Sequence, residues 1–156
     1  MCHYCGCRDI PLIKEFIAEH ESVTDLAGDA VRALERDDTV RAAELLRRMA
    51  GELDVHWRGE ENGLFAVMRR DEEYRAYIEA LEVEHRELAE LLATVDLADA
   101  DDRAKVVAAV DELHHHIAKE EDGLFPASLT ALTGEEWNAS MAAWREAHPQ
   151  AGPEAP

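Results

Sequence analysis

The sequence predicts an all-α protein: an up-down-up-down antiparallel four-helix bundle with a short fifth helix at its C-terminal end. Four long stretches repeat apolar residues at steps of three and four, the signature of a helix with one buried side. The breaks between them are only a few residues long, which favours antiparallel neighbours. Apolar runs that alternate with period two, as strands require, are absent.

The first stretch, near 10–35, places Ile13, Phe16, Ile17, His20, Val23, Ala27 and Val31 on one face. The second, near 39–69, does the same with Met49, Leu53, His56, Trp57, Glu60, Leu64 and Val67. Near 72–95 the stripe is Tyr74, Ile78, Leu81, His85, Leu88, Leu92 and Val95. Near 101–131 it is Val106, Val110, Leu113, His116, Ile117, Glu120 and Leu124. Arg36-Asp37-Asp38, Asp71 and the segment 96–101 mark the three breaks. A fifth helix follows, because Thr133 and Glu136 have capping-box spacing and Trp137, Met141 and Trp144 share a face. It packs across one end of the bundle or covers a cleft. The chain therefore divides into a Cys-rich head at 1–9, the bundle at 10–132, the extra helix at 133–148 and a loose tail at 149–156.

Charge and hydropathy exclude several classes of function. A chain of 156 residues with 47% apolar residues can bury a core. Thirty-five acidic residues against sixteen Lys and Arg leave a net charge of -19, a field that repels nucleic-acid backbones and anionic lipid. No apolar run approaches the roughly 20 residues of a membrane span, and no basic-then-apolar leader opens the chain. The expectation is a soluble, cytoplasmic protein with neither nucleic acid nor membrane as partner. Ser22, Ser128 and Ser140 lack the strand–turn setting of a nucleophilic hydrolase.

Helices two and four repeat one motif. His56-Trp57-Arg58-Gly59-Glu60-Glu61-Asn62-Gly63-Leu64-Phe65 matches His116-Ile117-Ala118-Lys119-Glu120-Glu121-Asp122-Gly123-Leu124-Phe125. Helices one and three each carry one Glu-His pair, Glu19-His20 and Glu84-His85. The chain thus reads as two similar helical hairpins. In each hairpin, histidines and a glutamate occupy stripe positions that otherwise hold Leu, Ile or Val. A buried carboxylate without a partner costs several kcal/mol, and two together also repel. A pair of cations removes both penalties. Across each turn the facing ligands differ in distance from the break by about three to five residues, about 5–8 Å of helix rise, so all six can share one layer. The predicted metal ligands are His20, His56, Glu60, His85, His116 and Glu120, with the glutamates bridging and two histidines on each ion. Imidazole with carboxylate suits iron, manganese or zinc. His115 competes with His116 for Glu120, but His116 lies on the apolar side with Leu113 and Ile117. No catalytic side chain can be assigned.

Across residues 10–132 the chain resembles the hemerythrin-like, or HHE cation-binding, family. The order His20, His56 with Glu60, His85, His116 with Glu120 is that family's order, and Lys119-Glu120-Glu121 followed by Leu124-Phe125-Pro126 is similar to its last motif. The resemblance implies two Fe ions in an oxo- or hydroxo-bridged di-iron centre, with Mn or Zn as the alternative metals. It also implies a small gas or oxidant as partner: O2, NO or peroxide. The implied functions are binding or sensing, with a peroxide- or NO-consuming oxidoreductase and iron storage or donation for iron–sulfur repair as alternatives. Oxygen-carrying members have a second histidine where this chain has Ala89, and HxxxxD where it has HxxxE. The set here looks closer to the nitric-oxide and cluster-repair branch.

Outside the bundle, Cys2, Cys5 and Cys7 form CxxCxC beside His3. Three clustered thiols do not make a disulfide framework. They form either a second metal or redox site or a head with free thiols.

Overall fold

A computed structural model describes residues 6–149. The described chain is helical throughout and contains no strand. Helix α1 spans Ile13–Glu35. Helix α2 covers 39–68: Thr39–Gly59, a π turn at Glu60–Leu64, and Phe65–Met68. Helix α3 spans Glu72–Thr94. Helix α4 covers 100–131: Ala100–Lys119, a π turn at Glu120–Leu124, and Phe125–Ala131. Helix α5 spans Gly134–Ala147.

Aspartates set three of the starts. Asp38 accepts from the Arg41 N–H at 3.0 Å, Asp71 from that of Glu73 at 3.0 Å, and Asp99 from those of Asp101 and Asp102 at 2.8 and 3.1 Å. Each satisfies amides that the first helical turn leaves without partners. Thr133 and Glu136 form the reciprocal box, with the Thr133 N–H on Glu136 at 2.9 Å and the Glu136 N–H on Thr133 at 3.3 Å. The α1–α2 turn closes on Asp37, at φ 58, a left-handed position that Asp tolerates.

The apolar core is divided in two. One part joins Val23 to Leu34 of α1, Ala42 to Trp57 of α2 and Val106 to Leu113 of α4, with Leu88 and Leu92 of α3 and the following Val95 against it. The other joins Leu12 to Ile17, Leu64 to Met68, Ile78 with Leu81, and Leu124 with Phe125. Trp137, Met141 and Trp144 of α5 pack on this second part. Between the two cores lies a layer of buried polar side chains.

The π turns differ from the plain helices the periodicity predicts. The Phe65 N–H donates to the Glu60 carbonyl, and that of Phe125 to Glu120, five residues back in each case. The additional residue turns both members of each Leu-Phe pair inward: Leu64, Phe65, Leu124 and Phe125 are all buried. In the second turn the Lys119 carbonyl accepts from the Tyr77 hydroxyl at 2.7 Å. Such insertions re-aim side chains at functional sites.

Glycine at 63 is required by close approach rather than by backbone angle. A Cβ there would lie 2.9 Å from the Ser140 carbonyl oxygen and 3.2 Å from the Ala143 Cβ. Gly63→Ala is expected to push α5 off α2 and to cost about 1–3 kcal/mol, the range for overpacked sites. Urea unfolding checks this: an unchanged midpoint would show that α5 docks elsewhere.

Candidate metal centre

The polar layer gathers the four stripe histidines and two stripe glutamates. His20 comes from α1, His56 and Glu60 from α2, His85 from α3, and His116 and Glu120 from α4. Both glutamates are 0% exposed and the four histidines 2–6%. His115 and His114 are exposed on the opposite side of α4.

The imidazoles meet in two pairs, one per hairpin. His20 Nε2 lies 3.1 Å from His56 Nε2, and His85 Nε2 lies 2.9 Å from His116 Nε2. Glu120 spans the pairs: one oxygen lies 2.9 Å from His116 Nε2 and 3.7 Å from His85 Nε2, the other 3.1 Å from His20 Nε2. Glu60 brings one oxygen 3.3 Å from His56 Nε2 and 3.7 Å from His85 Nε2.

The remaining ring nitrogens decide what the Nε2 atoms are for. Each Nδ1 faces a carboxylate: His20 on Glu121 at 3.0 Å, His56 on Glu19 at 2.6 Å, His85 on Glu61 at 2.8 Å, and His116 on Glu84 at 2.7 Å. A neutral imidazole has one N–H, and these carboxylates hold it on Nδ1. Eight lone-pair atoms, the four Nε2 and the oxygens of Glu60 and Glu120, are then aimed at one another. None of those four oxygens accepts a properly directed hydrogen bond. Lone pairs at such distances repel unless a proton or a cation lies between them.

Without a cation, protons take that place unevenly. Burial works to lower the His20 pKa, but Glu120 and Glu121 outweigh it and raise it to about 9. Burial lowers His56 to about 4, helped by the His20 charge and only partly opposed by Glu19. Burial also lowers His116, yet Glu120 and Glu84 outweigh it and hold the ring above its ordinary value. Burial pushes the Glu60 carboxyl well above the usual range, and the Glu120 charge pushes it further. Burial acts the same way on Glu120, but His116, His20 and His85 overcome it and hold that carboxyl well below the range.

The donor set fits metal ions. Two nitrogens about 2.1 Å from one ion and at right angles are about 3.0 Å apart, close to both observed pairs. Two subsets of side chains offer ligand atoms within 4.8 Å of one another: His20, His56, Glu60 and Glu120, and His85, His116 and Glu120. Aromatic rings wall the layer in. Phe125 stacks on His20 at 5.8 Å and its repeat partner Phe65 on His85 at 5.7 Å, while Trp57 covers another side of His85 at 4.8 Å.

Sequence reasoning missed the roles of Glu19, Glu61, Glu84 and Glu121. Their signal is adjacency, since each stands next to a predicted ligand. The ring each one orients, however, lies on a different helix. Glu19 and Glu84 serve the second histidine of their own hairpin, whereas Glu61 and Glu121 reach across to the other. Further groups hold these carboxylates. Arg8 pairs with Glu121 at 2.9 Å, Lys119 pairs with Glu84, and Trp144 Nε1–H donates to Glu19 at 2.9 Å. His148 stacks on Trp144 at 4.2 Å and lies 2.7 Å from Glu19. Of the cysteines, Cys7 is half-buried in a 3-10 turn, Cys7–Asp9. Cys2 and Cys5 lie outside the described residues.

A helical bundle that buries converging imidazoles and carboxylates, each imidazole oriented by a further acid, defines a cation-binding bundle. The chain belongs to the family described as the hemerythrin HHE cation binding domain, whose profile matches residues 12–128. Among curated proteins and among solved structures no match was found. Among the described residues no helix is long and apolar enough to cross a membrane.

Proposed function

We propose that the protein is a non-haem di-iron protein that binds or senses a small oxidant or gas: O2, NO or peroxide. His20 and His56 would hold one ion and His85 and His116 the other, with Glu60 and Glu120 as shared carboxylate ligands. The observation that carries this reading is the pairing of the Nε2 atoms at 3.1 and 2.9 Å while every Nδ1 is engaged by a carboxylate. Iron is favoured because nitrogen and oxygen donors suit redox-active first-row ions, and because two histidines and two shared carboxylates leave coordination positions for a ligand.

When bound, the iron pair supplies one-electron redox chemistry and Lewis acidity. This chain's residues do the rest. Glu19, Glu61, Glu84 and Glu121 keep the histidine protons on Nδ1, so the Nε2 lone pairs stay available. Phe16 and Phe125 shield the His56 and His20 rings from water, and Phe65 and Trp57 cover the faces of His85. The frame is an up-down-up-down four-helix bundle over 10–132 with the fifth helix at 133–148. Alternation of the helices between the two cores supports that topology: each odd helix begins in the core where each even one ends.

Iron analysis with visible spectroscopy tests the proposal. About two irons per chain and an absorption band that changes on exposure to NO, O2 or peroxide are expected. Fewer than one iron, or a spectrum indifferent to all three, overturns it. Glu19→Ala and Glu84→Ala are each expected to weaken iron binding by about 10–100-fold, the usual effect of removing a partner of a ligating histidine. Competition with a chelator measures this, and unaltered affinity in both variants would show that the carboxylates do not orient the rings.

A further inference from the structure

The two hairpins repeat the same ligands but do not enclose them equally. A cavity of about 350 Å3 reaches His85 and His116 between α3 and α4. Trp57, Leu88, Leu91 and Leu113 make its walls. Glu84, Glu87 and Glu112 also line it, and Glu87 and Glu112 are exposed. The repeat explains why it exists on this side. Seven residues before His56 stands Met49, buried to 1%; seven before His116 stands Ala109, half-buried and lining the cavity. Three residues after His20 stands Val23, also 1% exposed; three after His85 stands Leu88, only half-buried. Around His20 and His56 these positions are filled, and around His85 and His116 they are not.

Size and lining narrow the ligand. A cavity of roughly 150 Å3 already accepts benzene, and small-molecule pockets begin near 300 Å3, so this space far exceeds what a diatomic gas needs. Its walls are mainly apolar, and its three acids disfavour an anion. Trp57, which stacks on His85 at 4.8 Å, offers a flat face beside the histidine pair.

We propose that the α3–α4 cavity is a binding site for an uncharged, largely apolar organic molecule of small-aromatic size, its oxygen-bearing end directed toward the His85–His116 pair. The cavity is a property of the folded chain. Only the engagement of that end with an ion rests on the di-iron reading.

Phenol is the probe, with benzoate as its anionic counterpart. Titrations use the full chain, iron-loaded and chelator-treated, followed calorimetrically and by indole NMR. Phenol is expected to bind both forms and to shift the Trp57 indole signal while leaving those of Trp137 and Trp144 in place. Ala109→Met, which installs the side chain found at the equivalent Met49, is expected to weaken phenol binding by on the order of ten-fold or more, and benzoate to bind weaker than phenol by a similar factor. The unaltered protein alone also decides the matter, should the variant not fold: phenol that shifts no Trp57 signal overturns the proposal. So does phenol bound equally by Ala109→Met, or benzoate bound as tightly as phenol. Failure of the di-iron reading is distinguishable, because it leaves the chain without iron yet still binding phenol.

Discussion

Alanine in place of Glu120 is expected to reduce bound iron from about two ions per chain to well below one, the largest loss from any single substitution in the bundle. Glu120 approaches three of the four histidines, His116 at 2.9 Å, His20 at 3.1 Å and His85 at 3.7 Å, and its two oxygens divide between the pairs. Glu60 also reaches both pairs, His56 at 3.3 Å and His85 at 3.7 Å, but through a single oxygen. The same residue carries the charge of the metal-free site. Its carboxyl is held well below the usual range, chiefly by His116 against the opposing effect of burial, while Glu60 is pushed well above it by burial and by Glu120. Burial and the Glu120 charge thus favour the neutral form of Glu60, while the surrounding imidazoles favour the ionised form of Glu120. Removing Glu120 takes away the carboxylate that favours the charged forms of the buried His20 and His116 rings, an expected loss of about 3–5 kcal/mol. Glu60→Gln puts a neutral amide of the same shape where burial and Glu120 already favour the neutral acid, and is expected to stay within about 1 kcal/mol of the unaltered chain. Metal analysis after iron loading, with urea unfolding in chelator, measures both effects. Equal destabilisation by the two substitutions would show that the charge is shared between the carboxyls.

The burial of four histidines and two glutamates in one layer was legible because burial and polarity conflict at those positions. Periodicity places His20, His56, His85 and His116 where Leu or Val belongs, and short breaks bring those positions to one level. The π turns were not legible, because a stripe read at 3.6 residues per turn accepts Leu64 or Phe65 but does not reveal that both face inward. Only the repeated Gly-Leu-Phe hints at it, with Gly63 and Gly123 making room for Ser140 and Tyr77 respectively. The four orienting glutamates were visible as neighbours of ligands, but which ring each one serves is set by the spacing between helices, which no local pattern encodes. His148 carries no local signal at all: it follows the last turn of α5 and finds Glu19 only because Gly59 and Gly63 admit α5 against α2. At Gly59 the position of a Cβ is 3.2 Å from Trp144 and 3.6 Å from His148.

The stabilisation conferred by iron is expected to increase as pH rises from about 6.5 to about 9, the window between the ordinary and folded-state pKa values of His20. A ligating Nε2 must be unprotonated, so below about 9 the incoming ion displaces a proton from His20, and affinity rises up to about ten-fold per pH unit until that proton is gone. The metal-free protein moves the other way over the same window. A histidine whose pKa is raised on folding contributes stability that is fully present below 6.5 and is lost as pH climbs through about 9. His56 has the opposite sign: lowered to about 4, it contributes stability that is present above 6.5 and is lost as pH falls toward 4. The metal-free chain should thus be most stable near pH 6.5, while the gap between loaded and metal-free chains widens on the alkaline side by up to about 3 kcal/mol. For a chain of this size that is a shift in melting midpoint of roughly 6–12 °C. Calorimetric scans at pH 6.5, 7.5 and 8.5, with iron under argon and with chelator, read the gap directly. A gap that stays constant would mean that iron displaces no proton at His20, so that the ring either does not hold the ion or is already neutral in the metal-free chain.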